Sequence, residues 1–315
     1  MGRVYGGRRR TARYDYRVAA IEIATLTKRY GPTLAVDQLS FKVEPGRIVA
    51  FLGPNGAGKT TTLRALLGLI SPTSGGATVE GRRFGELDDP VRTVGAVLDG
   101  GMLHPGRSGR NHLRMLARGS GIGRERADEL LRMVGLEDAA DRRAGGYSLG
   151  MRQRLGLAGA LLGDPGVLVL DEPANGLDPQ GIRWLRDLLR SLAGEGRAVL
   201  VSSHVLAEVA QTADEVVVIA KGRSVAQAPL SELLATGRGG TRVAGPDVER
   251  LAEVLRRDGA AVEPAGEGAI VVHDRSGEQV GRLIAEHRVV VSDLGAVSSS
   301  LEEIFFELTG EETAA

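Results

Sequence analysis

The sequence lacks the residues that mark several classes of protein. It contains no cysteine, which excludes a disulfide framework and a site built on a thiolate. Lysine plus arginine and aspartate plus glutamate both number 40, so no excess charge predicts a nucleic-acid or an acidic partner. No apolar run approaches the roughly 18 residues of a membrane-spanning helix. Because the N-terminus also lacks the apolar core of a signal peptide, we expect a protein of the cytoplasm.

The remaining composition is that of a globular protein able to bury a core. Hydrophobic residues make up 42% and charged residues 25% of the chain, and its length of 315 residues suggests about two domains. Residues 1–18 are an exception, because 1–17 contain six arginines against one aspartate and show no apolar period. We expect a disordered basic leader there, and a weak contact with an anionic membrane surface is the alternative.

The most informative stretch is Gly-Pro-Asn-Gly-Ala-Gly-Lys-Thr at residues 53–60. An apolar run at 47–52 predicts a strand before it, and apolar spacing predicts a helix over 61–68 after it. The glycines let successive backbone N–H groups form a concave nest, to which the helix N-terminus adds partial positive charge. Lys59 can then reach the β- and γ-phosphates, and the Thr60 hydroxyl can ligate Mg²⁺. The pattern predicts a nucleoside triphosphate site.

A second apolar run, at residues 167–170, ends in Asp171 and Glu172, which is typical of a parallel strand buried on both faces. Acids at the carboxyl end of such a strand lie where open α/β sheets bind ligands. We expect Asp171 in the Mg²⁺ shell, bound through water, and Glu172 as the general base that polarises the attacking water. His204 follows the apolar strand 198–202, which should neighbour the acid-bearing strand. The alternatives are that Asp171 and Glu172 only cap the strand end and that His204 has a structural role.

Three further signals are weaker when each is taken alone. Ser148 and Gly150 open a predicted helix and can offer a hydroxyl and N–H groups to an anion, although an ordinary N-cap is the simpler explanation. Asp178 followed by Pro179 predicts the start of another helix. Aromatic residues make up only 3% of the chain, so Tyr30 before a Gly-Pro turn stands out. Its ring can stack on adenine or pack internally.

Helical patterns dominate from about residue 100 to 163, which predicts a helical insert within an α/β domain. His104 and His112 lie in this insert. Because neither has a cysteine or a carboxylate at ligand spacing, we expect both to be surface residues rather than metal ligands.

A second unit is predicted after the glycine-rich linker at 237–240. Strand and helix patterns follow in the order βαββαβ over 241–310, with the last strand at 288–292. This order predicts a small α+β domain of the split-βαβ type. It carries no cluster of catalytic residues, so we expect a structural or dimerising role.

In order and spacing, these segments resemble the nucleotide-binding subunit of ABC transporters over about residues 19–235. The matching motifs are Walker A at 53–60, Walker B at 167–172, the signature at Tyr147–Met151, the D-loop at Asn175–Asp178, the switch histidine His204 and the A-loop position Tyr30. The resemblance implies a P-loop NTPase, with a RecA-like core, an antiparallel β part and the helical subdomain at about 100–163. It implies an ATP-binding domain at 19–236 and a C-terminal accessory domain at 241–310.

The resemblance also implies how the residues act. ATP and Mg²⁺ are the cofactors, Glu172 and His204 are catalytic, and Thr60 and Asp171 serve the metal. The implied ATP contacts are Tyr30, Gly53, Pro54, Asn55, Gly56, Ala57, Gly58, Lys59, Thr60 and Thr61. Two copies pack head to tail, so that Ser148, Leu149 and Gly150 act in trans on the partner's ATP. Asp178 bridges the two sites, and His204 contacts the γ-phosphate.

Two departures from the family pattern place the chain in one branch. The usual Leu-Ser-Gly-Gly-Gln signature is Tyr-Ser-Leu-Gly-Met here, and Asp99 stands at the Q-loop glutamine position. Both look like the branch that pairs with ABC-2-type membrane subunits, often exporters of drugs, lipids or polysaccharides. We therefore expect an ATPase on the cytoplasmic face of the membrane that powers a separate permease chain and binds no nucleic acid. The alternatives are a soluble ABC ATPase acting on ribosomes or DNA and a small-molecule kinase.

Overall fold

The structure is a computed structural model that describes residues 18–98, 103–236, 240–297 and 301–309. Apart from Val18, the expected leader lies outside the described residues, and so does Asp99. The chain divides into two compact units, one of Met1–His204 with Ile219–Ser224 and one of Val205–Val218 with Val225–Ala315. Each unit has its own hydrophobic core.

Strands and helices follow one another along most of the described chain, as the apolar patterns predict. The strands are β1 (Ile21–Tyr30), β2 (Thr33–Val43), β3 (Ile48–Leu52), β4 (Ser74–Val79), β5 (Val94–Val97), β6 (Val167–Asp171), β7 (Ala198–Ser203), β8 (Glu215–Ala220), β9 (Arg223–Pro229), β10 (Gly240–Ala244), β11 (Val262–Pro264), β12 (Ala269–Val272) and β13 (Asp293–Val297). The helices are α1 (Lys59–Leu66), α2 (Pro90–Thr93), α3 (Gly109–Gly119), α4 (Arg124–Met133), α5 (Leu149–Ala160), α6 (Pro179–Gly194), α7 (Leu206–Thr212), α8 (Leu230–Thr236), α9 (Val248–Arg257), α10 (Gly277–Glu286) and α11 (Leu301–Thr309).

In the first unit, β2, β1 and β4 form an antiparallel sheet in that order. Burial alternates along β2, where Leu39 and Phe41 are buried while Ser40 and Lys42 are exposed. Successive side chains of a strand point to opposite faces, so one face of this sheet covers the core. This is the antiparallel part that the family resemblance implies.

The second sheet of this unit contains β5, β6, β7 and β3, which pair in parallel in that order. Every residue of β3 and β6 is buried. Such strands are apolar almost throughout because a parallel sheet is covered on both faces. The pairing of β6 with β7 confirms that the acid-bearing strand and the strand before His204 are neighbours.

The predicted helical insert consists of α3, α4 and α5. Their inward faces supply Leu113, Leu130 and Leu155, all fully buried, to the core of the first unit. Ser108 and Ser148 cap α3 and α5, each accepting a hydrogen bond from a backbone N–H three residues later. The insert is therefore a packed part of the first unit.

The expectation that His112 lies on the surface is wrong, whereas His104 is exposed. Only 8% of His112 is exposed, because it lies on the buried stripe of α3 with Gly109, Leu113 and Ala117. Burial lowers the pKa of His112, and the positive charge of Arg107 acts in the same direction. Helical spacing, rather than the absence of metal-binding neighbours, decides the position of this side chain.

The second unit contains the predicted βαββαβ arrangement. Strands β11, β12, β10 and β13 form an antiparallel sheet in that order, and α9 and α10 connect its two halves. Val243, Leu251, Val272 and Val280 are buried together in its core. The described strands and helices of this sheet follow one another in the order expected of a split-βαβ domain.

The last strand of this sheet does not lie at 288–292, as the valine run predicts, but at Asp293–Val297. The valine run, residues 289–291, instead follows the C-terminal end of α10 and is held there by hydrogen bonds. Val289 donates its N–H to the Ile284 carbonyl, and Val290 donates to the Asp247 carboxylate at 3.0 Å. Ladder pairing with β10 begins only at Asp293.

Helix α11 packs against α7 and α8 within the second unit. Leu301, Ile304 and Phe305 form its buried face, while Leu206 and Val209 of α7 are also buried. Since α7 has seven residues, it is too short to be stable without such packing. None of the helices in the described ranges has the length and hydropathy of a membrane span.

The packing of α11 yields a prediction for Ile304→Ala. Removing this buried side chain should lower the free energy of local opening of α7 and α8 by about 2 kcal/mol or more. Faster amide hydrogen exchange in both helices would report this. The control Glu302→Ala removes a less buried side chain of α11 and should change that free energy by no more than about 0.5 kcal/mol. Unchanged exchange in Ile304→Ala would contradict the packing.

Candidate nucleotide-binding site

The glycine-rich loop between β3 and α1 has a backbone that only glycine accommodates at two positions. Gly58 precedes α1 with φ of 110°, and an added Cβ would lie 2.5 Å from the Ala35 carbonyl oxygen. At Gly53 an added Cβ would lie 2.4 Å from the Ile219 carbonyl oxygen. The loop is therefore pressed against neighbouring backbone, and its glycine spacing is a packing requirement as well as a phosphate-binding pattern.

Lys59, the first residue of α1, is buried beneath this loop. Its ammonium donates to the carbonyls of Gly53 and Pro54, the latter at 3.3 Å. The Glu172 carboxylate lies 3.9 Å away. Burial lowers the pKa of Lys59, while the negative charges of Glu172 and Asp171 act in the opposite direction. The site thus contains a cation whose partners are main-chain oxygens and the acids at the end of β6.

Thr60 and Asp171 form the part of the site that could hold a metal. The Thr60 hydroxyl donates to Asp171 Oδ2 at 2.8 Å, and Asp171 is only 5% exposed. Hydroxyl and carboxylate oxygens suit Mg²⁺, which takes few protein ligands and fills its shell with phosphate oxygens and water. Within the described ranges, no group of three or more His, Cys, Asp or Glu side chains is arranged to hold a metal. The donor set fits Mg²⁺ brought in with a nucleotide.

Glu172 and His204 meet at the carboxyl edge of the parallel sheet. His204 Nδ1 lies 2.7 Å from Glu172 Oε2. An ionised carboxylate only accepts hydrogen bonds, so Nδ1 is the donor of this pair. About half of the His204 side chain is exposed, and Glu172 is largely covered. The structure therefore brings together Lys59, both acids and the histidine that the sequence analysis singles out.

The signature turn and the D-loop lie side by side. Ser148 is exposed and accepts the Met151 N–H at 3.2 Å, so it does cap α5. An added Cβ on Gly150 would come within 3.1 Å of the Gly176 carbonyl oxygen. Asp178 caps α6 by accepting the Gly181 N–H at 2.7 Å. The two motifs form one surface, from which the 49%-exposed Leu149 projects.

Tyr30 ends β1 with 46% of its surface exposed. The ammonium of Lys28 lies 4.9 Å from the centre of its ring. The ring is therefore not a core side chain and is available for stacking. Asp99, expected at the Q-loop position, lies outside the described residues.

Sequence reasoning overlooks one residue of this site, Ser202. It is fully buried in β7, directly opposite Asp171 in the parallel register, and its hydroxyl contacts both acids. The available signal is a hydroxyl at the end of an otherwise apolar strand. A buried hydroxyl needs a hydrogen-bond partner, and the neighbouring strand end is where the acids lie.

Known proteins resemble this chain in both sequence and fold. Residues 36–175 match the family model for ABC transporters, and residues 239–302 match that of a domain of unknown function. A bacitracin transport ATP-binding protein of Bacillus licheniformis is 37% identical over 92% of this chain and 97% of its own length. The chain belongs to the ABC transporter ATP-binding family. As a member of this family it is an ATP-binding protein and an ATPase.

Similarity to other ABC proteins supports this family assignment. Nod factor export ATP-binding protein I of Burkholderia pseudomallei is 36% identical over 94% of this chain and 98% of its own. The solved ATP-binding subunit of an ABC transporter is 27% identical with a TM-score of 0.63, over 69% of this chain and 92% of that one. A dimeric bacterial ABC transporter cassette is 25% identical with a TM-score of 0.62, over 67% and 98%. The predicted P-loop NTPase fold is confirmed.

The loop geometry predicts different costs for two glycine substitutions. Gly56→Ala meets no atom within 4 Å and suffers only its left-handed backbone, so it should lower the unfolding free energy by about 1–2 kcal/mol. Gly58→Ala adds the collision with Ala35 and should cost clearly more. Urea unfolding of both variants without nucleotide tests this. Equal losses of unfolding free energy in the two variants would show that the backbone at Ala35 moves away from the added methyl group at little cost.

Proposed function

We propose that this ABC ATPase is the energy-supplying subunit of an exporter and that it hydrolyses MgATP over the loop 53–60. The observation that carries the proposal is the convergence of Lys59, Thr60, Asp171, Glu172 and His204 at one edge of the parallel sheet. An ammonium, a hydroxyl and two carboxylates at these distances suit phosphate and metal chemistry. Relatives named for bacitracin transport and Nod factor export support the assignment to an exporter.

In this proposal the loop N–H groups and Lys59 hold the phosphates, while Tyr30 stacks on adenine. Thr60 and Asp171 would hold Mg²⁺, the latter through water. When bound, Mg²⁺ offsets the negative charge of the phosphate oxygens. The remaining loop residues, Pro54, Asn55, Ala57 and Thr61, complete the cradle around the phosphates.

Hydrolysis then depends on Glu172. Its carboxylate takes a proton from the attacking water, whose oxygen bonds to the γ-phosphorus as the bond to ADP breaks. His204 holds one carboxylate oxygen through its Nδ1–H and contacts the γ-phosphate from its exposed side. The 3.9 Å separation between Lys59 and Glu172 supports this proposal, because the proposed base then lies beside the proposed phosphate-binding cation.

We also propose a head-to-tail homodimer in which Ser148, Leu149 and Gly150 act on ATP held by the partner. Ser148 and Leu149 are exposed on the surface shared with the D-loop, where Asp178 would bridge the two sites. An exposed leucine beside a helix N-terminus suits a protein contact that also binds phosphate. The dimeric ABC cassette with the same fold supports this arrangement.

This subunit would work together with a membrane-embedded partner. A separate permease chain carries the cargo, so this subunit works at the cytoplasmic face of the membrane and contacts no nucleic acid. The ATP-binding domain spans 19–236, and the accessory domain at 241–310 has a structural or dimerising role. Asp99 takes the Q-loop position. A soluble ABC ATPase acting on ribosomes or DNA is not favoured, because the compared relatives are transport proteins.

Glu172→Gln tests the proposed base. It should keep ATP binding and lower turnover about 10²–10⁴-fold, because the amide cannot accept the proton from water. The neutral side chain also removes a charge facing the phosphates, so an ATP-bound dimer should accumulate. Phosphate release and size-exclusion chromatography with ATP measure the two effects. The exposed Glu137→Gln is the control, and wild-type turnover by Glu172→Gln would remove Glu172 from this role.

Mixing Lys59→Ala with Ser148→Arg tests the arrangement in trans. Each variant alone should be inactive, the first because nucleotide binding is weakened and the second because the added bulk blocks each site that the substituted signature completes. A head-to-tail mixed dimer has one site with both changes and one with neither, so up to about half the activity of those dimers can return. A mixture that stays inactive although mixed dimers form would contradict independent sites in trans.

A further inference from the structure

The buried hydroxyl of Ser202 connects the two acids at the end of β6. Ser202 Oγ donates to Asp171 Oδ1 and accepts the backbone N–H of Glu172 at 3.0 Å. Ser202 is fully buried, and the Ser202 carbonyl also accepts the Glu172 N–H, at 3.2 Å. One residue of β7 therefore holds the side chain of the first acid and the main chain of the second.

The hydrogen-bonding capacity of a serine fixes the direction of these bonds. A hydroxyl has one proton and two lone pairs, and an ionised carboxylate only accepts. The proton of Ser202 therefore goes to Asp171, and a lone pair remains for the Glu172 N–H. Because the Thr60 hydroxyl occupies Asp171 Oδ2, hydroxyl donors hold both oxygens of this carboxylate and set its orientation.

Glu172 needs such an anchor because its backbone is unfavourable. Its φ is 49°, in the left-handed region that side chains with a Cβ rarely adopt. Residues held in this way persist only where surrounding contacts enforce the conformation. Both bonds from the Glu172 N–H go to Ser202, and this conformation directs the carboxylate toward His204 and Lys59.

We propose that Ser202 is a positioning residue of the ATPase site, which sets the metal-side acid Asp171 and the base Glu172 relative to each other. The proposal rests on the roles proposed above for those two acids. Ser202 itself touches neither phosphate nor water in this scheme. Loss of the Ser202 hydroxyl should therefore weaken the Mg²⁺-dependent part of nucleotide binding and slow hydrolysis. It should not change how tightly the loop 53–60 binds the phosphates.

The test compares Ser202→Ala with a matched loss of a buried hydroxyl elsewhere. Thr241 is 3% exposed in the sheet of the second unit, and its hydroxyl donates to the Arg275 carbonyl at 3.0 Å. Thr241→Val removes that bond at constant shape. For each variant, kcat and KM for ATP are measured, and calorimetry gives ATP affinity in EDTA and in Mg²⁺. Ser202→Thr, which keeps a hydroxyl, tests rescue.

We expect Ser202→Ala to lower kcat roughly 10- to 100-fold, the effect of losing a hydrogen bond to a charged group. Its ATP affinity in EDTA should match that of the wild type, whereas the gain in affinity on adding Mg²⁺ should shrink. Thr241→Val should change neither quantity. Ser202→Thr should recover most of kcat. If its extra methyl group prevents folding, the comparison of Ser202→Ala with Thr241→Val decides alone.

Two results would overturn the inference. One is that Ser202→Ala has the same kcat as Thr241→Val and gains the same ATP affinity when Mg²⁺ is added. The other is a loss of ATP affinity in EDTA together with a lowered unfolding temperature, which would mark a purely structural serine. The Glu172→Gln variant separates this inference from the proposed function. If Glu172→Gln turns over normally, the base assignment fails, whereas normal turnover by Ser202→Ala beside an inactive Glu172→Gln overturns the role of Ser202 alone.

Discussion

The in-register parallel pairing of β6 with β7 is the constraint on which the site depends. It places Asp171 opposite Ser202 and brings Glu172 and His204, which follow these strands, to the same edge. A slip of one residue would turn every side chain of a strand to the opposite face. Since β6 is buried on both faces, such a slip would also bury the wrong groups. The chemistry of the site is therefore fixed by a main-chain ladder and by the apolar residues that cover it.

This arrangement concentrates groups that are costly to bury. Lys59 and Asp171 are both almost inaccessible, and a buried charge is tolerated only where it is paired and hydrogen-bonded. The loop carbonyls satisfy the ammonium, while Thr60 and Ser202 satisfy the carboxylate. The left-handed backbone of Glu172 adds strain of order 1–3 kcal/mol. The rigid sheet beneath the site offsets these costs, which is why a strained polar cluster persists at its edge.

Much of this could be predicted from the sequence, because the motifs are continuous and each contains its own local reason. The loop 53–60 carries its glycines, its lysine and its helix start in one stretch, and the apolar strands are equally local. Ser202 could not be assigned in this way, because its role arises from a neighbour thirty-one residues away in sequence. The prediction for His112 is wrong because the absence of metal-binding neighbours does not decide burial, whereas its helical position places it inside. The run ending at Val291 reads as a strand, and only pairing with β10 decides that the strand starts later.

The second unit is discontinuous in sequence, and this affects the order in which it can form during synthesis. Helix α7 belongs to this unit and leaves the ribosome well before α11, the helix that covers it. Domains generally fold as they emerge, starting from the N-terminus. The strands and helices that precede His204 can therefore assemble while synthesis continues. Helix α7, which begins two residues after this histidine, must wait for α11, so its packing is completed only late in translation.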